Sequence, residues 1–153
     1  MICYIDSSVM LSGMLEQGVD RSATRLWEES SERLSSSLLK VECLIGIRRA
    51  AFAQKLPPDD PWAEGRIGLL FKFMNSITFK MLDESIEDII RATPELSNCR
   101  TLDAIHLATA MYFRPHLDDL LTVVTLDERM SALAKKLGFA VQPVTRTRAA
   151  GSP

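Results

Sequence analysis

A three-layer α/β/α fold around a short parallel sheet is what the sequence predicts, and three observations predict it. Short runs of β-forming residues alternate with longer helical patterns, the chain order of βαβ units and of a sheet covered on both faces. The 153 residues, 46% hydrophobic and 25% charged, have the make-up of one globular domain. A chain of this length buries roughly 68–70% of the surface its unfolded form exposes, so its core needs no disulfide or structural metal.

Ile2 to Ile5 is a short apolar run followed at once by Asp6, and it reads as a buried strand. Ser7 to about Gln17 and Asp20 to Arg33 read as two helices separated by Gly18, with Ala23, Leu26, Trp27, Ser30 and Leu34 on one side of the second. Ser35 to Ser37 is placed as a short strand. Leu38 to Gln54 is a helix with Val41, Ile45 and Phe52 on its apolar stripe, broken by Leu56-Pro57-Pro58-Asp59-Asp60-Pro61. That break is short enough to be a plain helix-to-helix loop rather than a domain boundary. A helix from about Trp62 to Met74, a strand from Ile77 to Leu82 and a helix from Glu84 to Thr93 come next. Thr101 to Phe113 is a helix apolar on most sides, Leu120 to Thr125 a third clear strand, and Asp127 to Leu137 a helix stopped by Gly138. Phe139 to Val144 makes the last strand. The domain therefore spans residues 1–144, and the small polar residues 145–153 (TRTRAAGSP are Thr145 to Pro153) are expected to be a disordered tail.

Composition narrows the function. The formal charge of −2 excludes a polycation built to coat nucleic acid, so any nucleic acid has to be held by a local patch. Cys3, Cys43 and Cys99 lie far apart and form no C-x-x-C pair, and they read as buried thiols in a reducing cytosol. No signal-peptide pattern opens the chain and no run of about 18 apolar residues occurs, so a cytoplasmic protein without a membrane span is expected.

In open α/β sheets ligands bind beyond the carboxyl ends of the strands, so the residues after each strand matter most. Asp6 follows the first strand, Glu42 lies in the early turns of the Leu38 helix, and Asp127 follows the Leu120 to Thr125 strand. Asp103 stands in the first turn of the apolar Thr101 helix, flanked by Leu102, Ala104 and Ile105. An acid in such a helix has to be paired, capped or liganded, whereas Asp127 alone reads first as a helix cap or a solvated charge. Two unit charges about 4 Å apart repel by roughly 4 kcal/mol at an effective dielectric near 20. Four converging carboxylates would therefore need a cation, and Mg²⁺ or Mn²⁺ suits an all-oxygen donor set, holding a phosphate and activating water.

The remaining polar residues read more plainly. Gly46, on the face of Glu42, allows either close helix packing or space for a ligand. His106, three residues after Asp103, is assigned to the core, and His116 to solvent. The seven methionines read as core filler, and the scattered arginines as solvated, although Arg49 and Arg100 lie near the acids in sequence. A haloacid-dehalogenase-like phosphatase wants a second Asp where Ser8 stands. A receiver domain wants an acidic pair where only Asp6 is found, and a dinucleotide site wants a G-x-G-x-x-G that is absent.

These residues resemble a known family. Ile5-Asp6-Ser7-Ser8-Val9 resembles the opening D-[ST]-S of PIN-domain ribonucleases, and Val41-Glu42-Cys43-Leu44-Ile45-Gly46 resembles their E-x-x-x-G helix start. Arg100 to Ala110 closely matches their D-A-x-H-L-A-T-A segment, and Thr125-Leu126-Asp127-Glu128-Arg129-Met130 resembles T-x-D-x-x-[LF], with Met130 where Leu or Phe is common. The four motifs occur in order over nearly the whole chain, and the length suits VapC-type toxins of toxin–antitoxin pairs. The resemblance implies a Mg²⁺- or Mn²⁺-dependent endoribonuclease with Asp6, Glu42, Asp103 and Asp127 as metal ligands and catalytic residues, supported by Ser8 and Thr125. It further implies a homodimer, an RNA substrate and a small inhibitory antitoxin. The alternatives are a catalytically silent RNA- or protein-binding domain, and a housekeeping nuclease without an antitoxin.

Overall fold

The computed structural model describes residues 1–15 and 21–143. The expected tail at 145–153, Val144 and the helix ends placed at Gln17 and Asp20 lie outside the described residues. The elements run β1 (Ile2–Ile5), α1 (Ser7–Leu15), α2 (Arg21–Glu29), β2 (Glu32–Ser36), α3 (Leu38–Ala53), α4 (Pro61–Met74), β3 (Thr78–Lys80) and α5 (Glu84–Ala92), followed by α6 (Thr101–Phe113), β4 (Leu121–Thr125), α7 (Glu128–Lys136) and β5 (Ala140–Pro143). A 3₁₀ turn at Pro94–Asn98 precedes α6 and another at Arg114–His116 follows it. The strands form one parallel sheet in the order β3-β2-β1-β4-β5. From β1 the chain winds outward through β2 and β3, then returns to β4 on the other side, so the topological switch lies between β1 and β4. Among the described residues no helix is long and apolar enough to cross a membrane.

Alternation along β1 divides the core. Ile2 and Tyr4 join Leu121, Val123 and the buried residues of α5, α6 and α7 on one face of the sheet. Cys3 and Ile5 join Val124 and α1, α3 and α4 on the other. Three layers result, as the sequence predicts. Local signals end the helices. Asp60 caps α4 through the Trp62 amide at 2.8 Å, with Pro61 opening the helix. Gly138 (φ 80°) closes α7 in a Schellman arrangement, its amide donating to Lys135 O and the Phe139 amide to Ala134 O, both at 3.0 Å.

Two sequence expectations are corrected. The second helix ends at Glu29, not Arg33, and the strand after it is Glu32–Ser36 rather than Ser35 to Ser37. The Ser31 amide donates to Met1 O at 3.0 Å and Glu32 then pairs with Ile2, so bonding to β1 wins over the helical periodicity of this segment. On α3 the stripe facing the core is Leu39, Cys43, Ile47 and Ala51. The expected stripe is exposed instead, Val41 at 52%, Ile45 at 45% and Phe52 at 85%. The helix is apolar on two sides, and only one of them can lie against the sheet. Gly46 serves close packing, since a Cβ there would come within 2.6–2.7 Å of the Leu11 methyls of α1.

Candidate active site at the carboxyl edge of the sheet

Asp6 leaves β1 at the switch point, its amide bonded to Val124 O at 3.1 Å. The residue is 6% exposed, and hydroxyls of two elements fix its side chain. Ser8 Oγ donates to Asp6 Oδ2 at 2.5 Å and Thr125 Oγ1 donates to the same oxygen at 2.9 Å. Each hydroxyl in turn accepts a backbone amide, Leu126 N on Ser8 and Asp127 N on Thr125, both at 3.0 Å. A hydroxyl has one proton, and with the amide occupying one of its lone pairs that proton is given to the carboxylate, which can only accept. Ser8 and Thr125 thus tie the exits of β1 and β4 to one charged group.

Glu42, on the second turn of α3, reaches across the sheet edge to α6, where His106 Nε2 lies 2.6 Å from its Oε2. His106 is 1% exposed, as a core residue should be, but the core assignment is incomplete because both ring nitrogens are engaged. Nδ1 is 2.9 Å from the hydroxyl of Tyr4, which also accepts the Ser36 amide at 3.1 Å. Nε2 lies 3.9 Å from Asp6 Oδ1. Burial opposes charge on the ring, but the Glu42 hydrogen bond and the charges of Asp6, Glu42 and Asp103 outweigh it and raise the His106 pKa above its ordinary value. Burial, followed by the charge of Asp6, pushes the Tyr4 phenol well up and keeps its proton in place.

Asp103 and Asp127 are held differently. Asp103 lies half-buried in the first turn of α6, and its pKa is raised by burial, then by the charges of Asp127 and Asp6, with Arg100 opposing. Asp127 caps α7, its Oδ1 accepting the amides of Arg129 at 2.8 Å and Met130 at 3.0 Å, so the cap reading of this residue holds. The acids sense one another's charge, yet among the described residues no three His, Cys, Asp or Glu side chains close on a single point that could hold an ion. A Mg²⁺ ion does not require such a cage, because it keeps several waters and takes one or two carboxylates plus substrate phosphates. The donor set is oxygen-rich, and burial together with the charges of Asp127 and Asp6 raises the Asp103 carboxyl. The residues fit a hard divalent cation.

Sequence reading placed Asp6, Glu42, Asp103, Asp127, Ser8 and Thr125 at this edge and missed the Tyr4–His106 pair. One available signal was that Tyr4 stands two residues before Asp6 on a buried strand, so its hydroxyl needed a polar partner nearby. The thiols are uninvolved. Cys43 is fully buried, and burial, Glu42 and Asp6 push it up to about 12. Cys99, expected to be buried, is only half-buried, and His116 is exposed as expected.

A sequence model described as the PIN domain matches residues 3–136. The chain belongs to the PIN domain family. No curated protein sequence matches it. Among solved structures, a toxin–antitoxin complex from Klebsiella pneumoniae aligns with TM-score 0.58 at 15% identity, over 82% of this chain and 86% of that one. VapBC2 from Rickettsia felis, bound to a DNA fragment from its promoter, aligns with TM-score 0.61 at 11% identity, over 94% and 98%. FitAcB from Neisseria gonorrhoeae aligns with TM-score 0.58 at 18% identity, over 92% and 96%. At these identities the likeness is one of fold, which this PIN domain shares with chains from all three structures.

Proposed function

We propose that this PIN domain is a Mg²⁺- or Mn²⁺-dependent endoribonuclease and the toxin of a toxin–antitoxin pair. The observation that carries the reading is the buried Asp6 at the switch point, fixed by Ser8 and Thr125 from both central strand exits. Glu42 and Asp103 face the same edge, and PIN domains are generally nucleases that use divalent metals. Asp6, Glu42, Asp103 and the Asp127 oxygen left over from capping would hold the cation. When bound, that cation polarises a scissile phosphate and lowers the pKa of a water. The residues of this chain then act as positioned anions: Ser8 and Thr125 keep Asp6 in one rotamer, and Glu42 is hydrogen-bonded to His106.

The antitoxin partner is supported by the similar fold found in a toxin–antitoxin complex from Klebsiella pneumoniae. The apolar surface left open at Val41, Ile45 and Phe52 would give a partner something to cover. The homodimer and the single domain of residues 1–144 are part of the same proposal. The test is cleavage of single-stranded RNA by the purified protein with Mg²⁺, with Mn²⁺ and with EDTA, beside growth of cells expressing it with and without a co-encoded small protein. Metal-dependent cleavage with relieved growth arrest is expected. Full activity in EDTA would end the metal mechanism, and harmless expression of a confirmed nuclease would leave a housekeeping enzyme.

A further inference from the structure

Glu42 and His106 come from helices on opposite faces of the sheet, and their 2.6 Å contact bridges the open carboxyl edge. A glutamate is among the side chains with most rotamer freedom to lose, and His106 is the one side-chain hydrogen-bond partner of Glu42 among the described residues. On the other side of the ring, the Tyr4 hydroxyl has one lone pair taken by the Ser36 amide and lies 2.9 Å from Nδ1. It can give its proton to Nδ1 of a neutral ring or accept Nδ1–H from a charged one. In either state Nε2 carries a proton directed at Glu42. Resting on the nuclease reading above, we propose that His106 is a positioning residue for this site: Tyr4 orients the ring, and the ring's Nε2–H holds the Glu42 carboxylate turned toward Asp6 for metal binding.

A histidine that merely fills the core would need volume at this position and nothing more. A positioning histidine needs a donor at Nε2. His106→Leu removes the donor, His106→Gln restores an N–H near the Nε2 position, and Tyr4→Phe keeps the ring in place but frees its tautomer. Three measurements apply to the full chain: nitrogen-15 spectra of the imidazole, Mn²⁺ affinity from the free-ion EPR signal, and RNA cleavage at saturating Mn²⁺, with thermal melts to verify folding. We expect a protonated, downfield Hε2 that moves upfield in Glu42→Gln. Mn²⁺ affinity should fall about 10–100-fold in His106→Leu, the usual cost of losing a partner that orients a ligand. Most of that loss should return in His106→Gln, with Tyr4→Phe in between.

A folded His106→Leu that binds Mn²⁺ like the wild type would overturn the proposal, as would a His106→Gln no better than the leucine variant. Should the leucine variant not fold, the glutamine variant, Tyr4→Phe and the spectra decide it. If the wild type itself binds no Mn²⁺ and cuts no RNA, the nuclease reading falls separately. The spectra then still judge the positioning, because an Hε2 unmoved by Glu42→Gln would overturn it.

Discussion

The two halves of the acidic edge differ in what occupies their carboxylate oxygens. Asp6 and Glu42 are held by side chains: two hydroxyls on one, an imidazole on the other. Asp103 has burial, charge neighbours and the backbone of Arg100 around it rather than a hydroxyl or imidazole donor, and Asp127 spends one oxygen on backbone amides of its own helix. The first half is preorganised at fixed positions, and the second is partly committed to the scaffold. Four carboxylates at the same strand edge are therefore not four equivalent groups, and substitution should separate them.

The largest separation should appear in catalysis. A metal-polarised phosphate is worth several kcal/mol of transition-state stabilisation, so Asp6→Asn should lower RNA cleavage on the order of 10²–10³-fold in single-turnover assays. An Asp6→Asn variant as active as the wild type would erase the distinction between the halves. Metal-linked stability comes next. At one hundred times Kd, Mn²⁺ should raise wild-type stability by about 2.7 kcal/mol, and the gain should shrink sharply in Asp103→Asn. Equal Mn²⁺ shifts in the wild type, Asp6→Asn and Asp103→Asn melts would mean that the acids share no ion.

Smaller effects sharpen the contrast without metal. Asp127→Ala should cost about 0.5–2 kcal/mol in an EDTA melt, because the amides of Arg129 and Met130 lose their cap. Asp103→Asn should do the reverse and slightly stabilise the metal-free protein by removing a charge that burial, and then repulsion from Asp127 and Asp6, disfavours. The sign follows from linkage: a carboxyl whose folded pKa is raised contributes stability fully present below its unfolded pKa of 3.8 and lost as pH rises through the folded value. Wild-type melts should therefore fall relative to Asp103→Asn as pH climbs above 3.8. His106 has the same sign in a higher window, its contribution being present below 6.5 and lost as pH rises through the raised folded value. An Asp103→Asn melt that tracks the wild type across both windows would show the Asp103 carboxyl to be unstressed.

Much of this is legible in the sequence alone. The apolar run Ile2 to Ile5 with Asp6 after it, the helix Thr101 to Phe113 and the Gly138 stop depend on local chemistry, and each lies where the sequence places it. Chain order and strand length were enough to predict a parallel sheet, since parallel strands need crossovers and these are helical. Asp127 illustrates the middle ground. Its sequence context permits both cap and ligand, and it caps α7 while keeping one oxygen outside those bonds.

What the tertiary structure alone decided were choices between locally equivalent options. Helix α3 carries two apolar stripes of similar quality. Contact with the sheet and with Leu11 of α1 buried the one through Leu39, Cys43 and Ile47, leaving Val41, Ile45 and Phe52 outside. Glu32 and Arg33 fit a helix until β1 offers its open edge, because sheet hydrogen bonds are made with residues about 30 positions away, beyond the reach of local periodicity. His106 lies on a helix whose sequence justifies burying it, and the sequence says as much. That its two nitrogens would meet Tyr4 and Glu42, 102 and 64 positions away, was decided by the crossing of three elements at one edge. Burial is a property of a residue and its near neighbours, whereas a hydrogen-bond partner is a property of the packed whole.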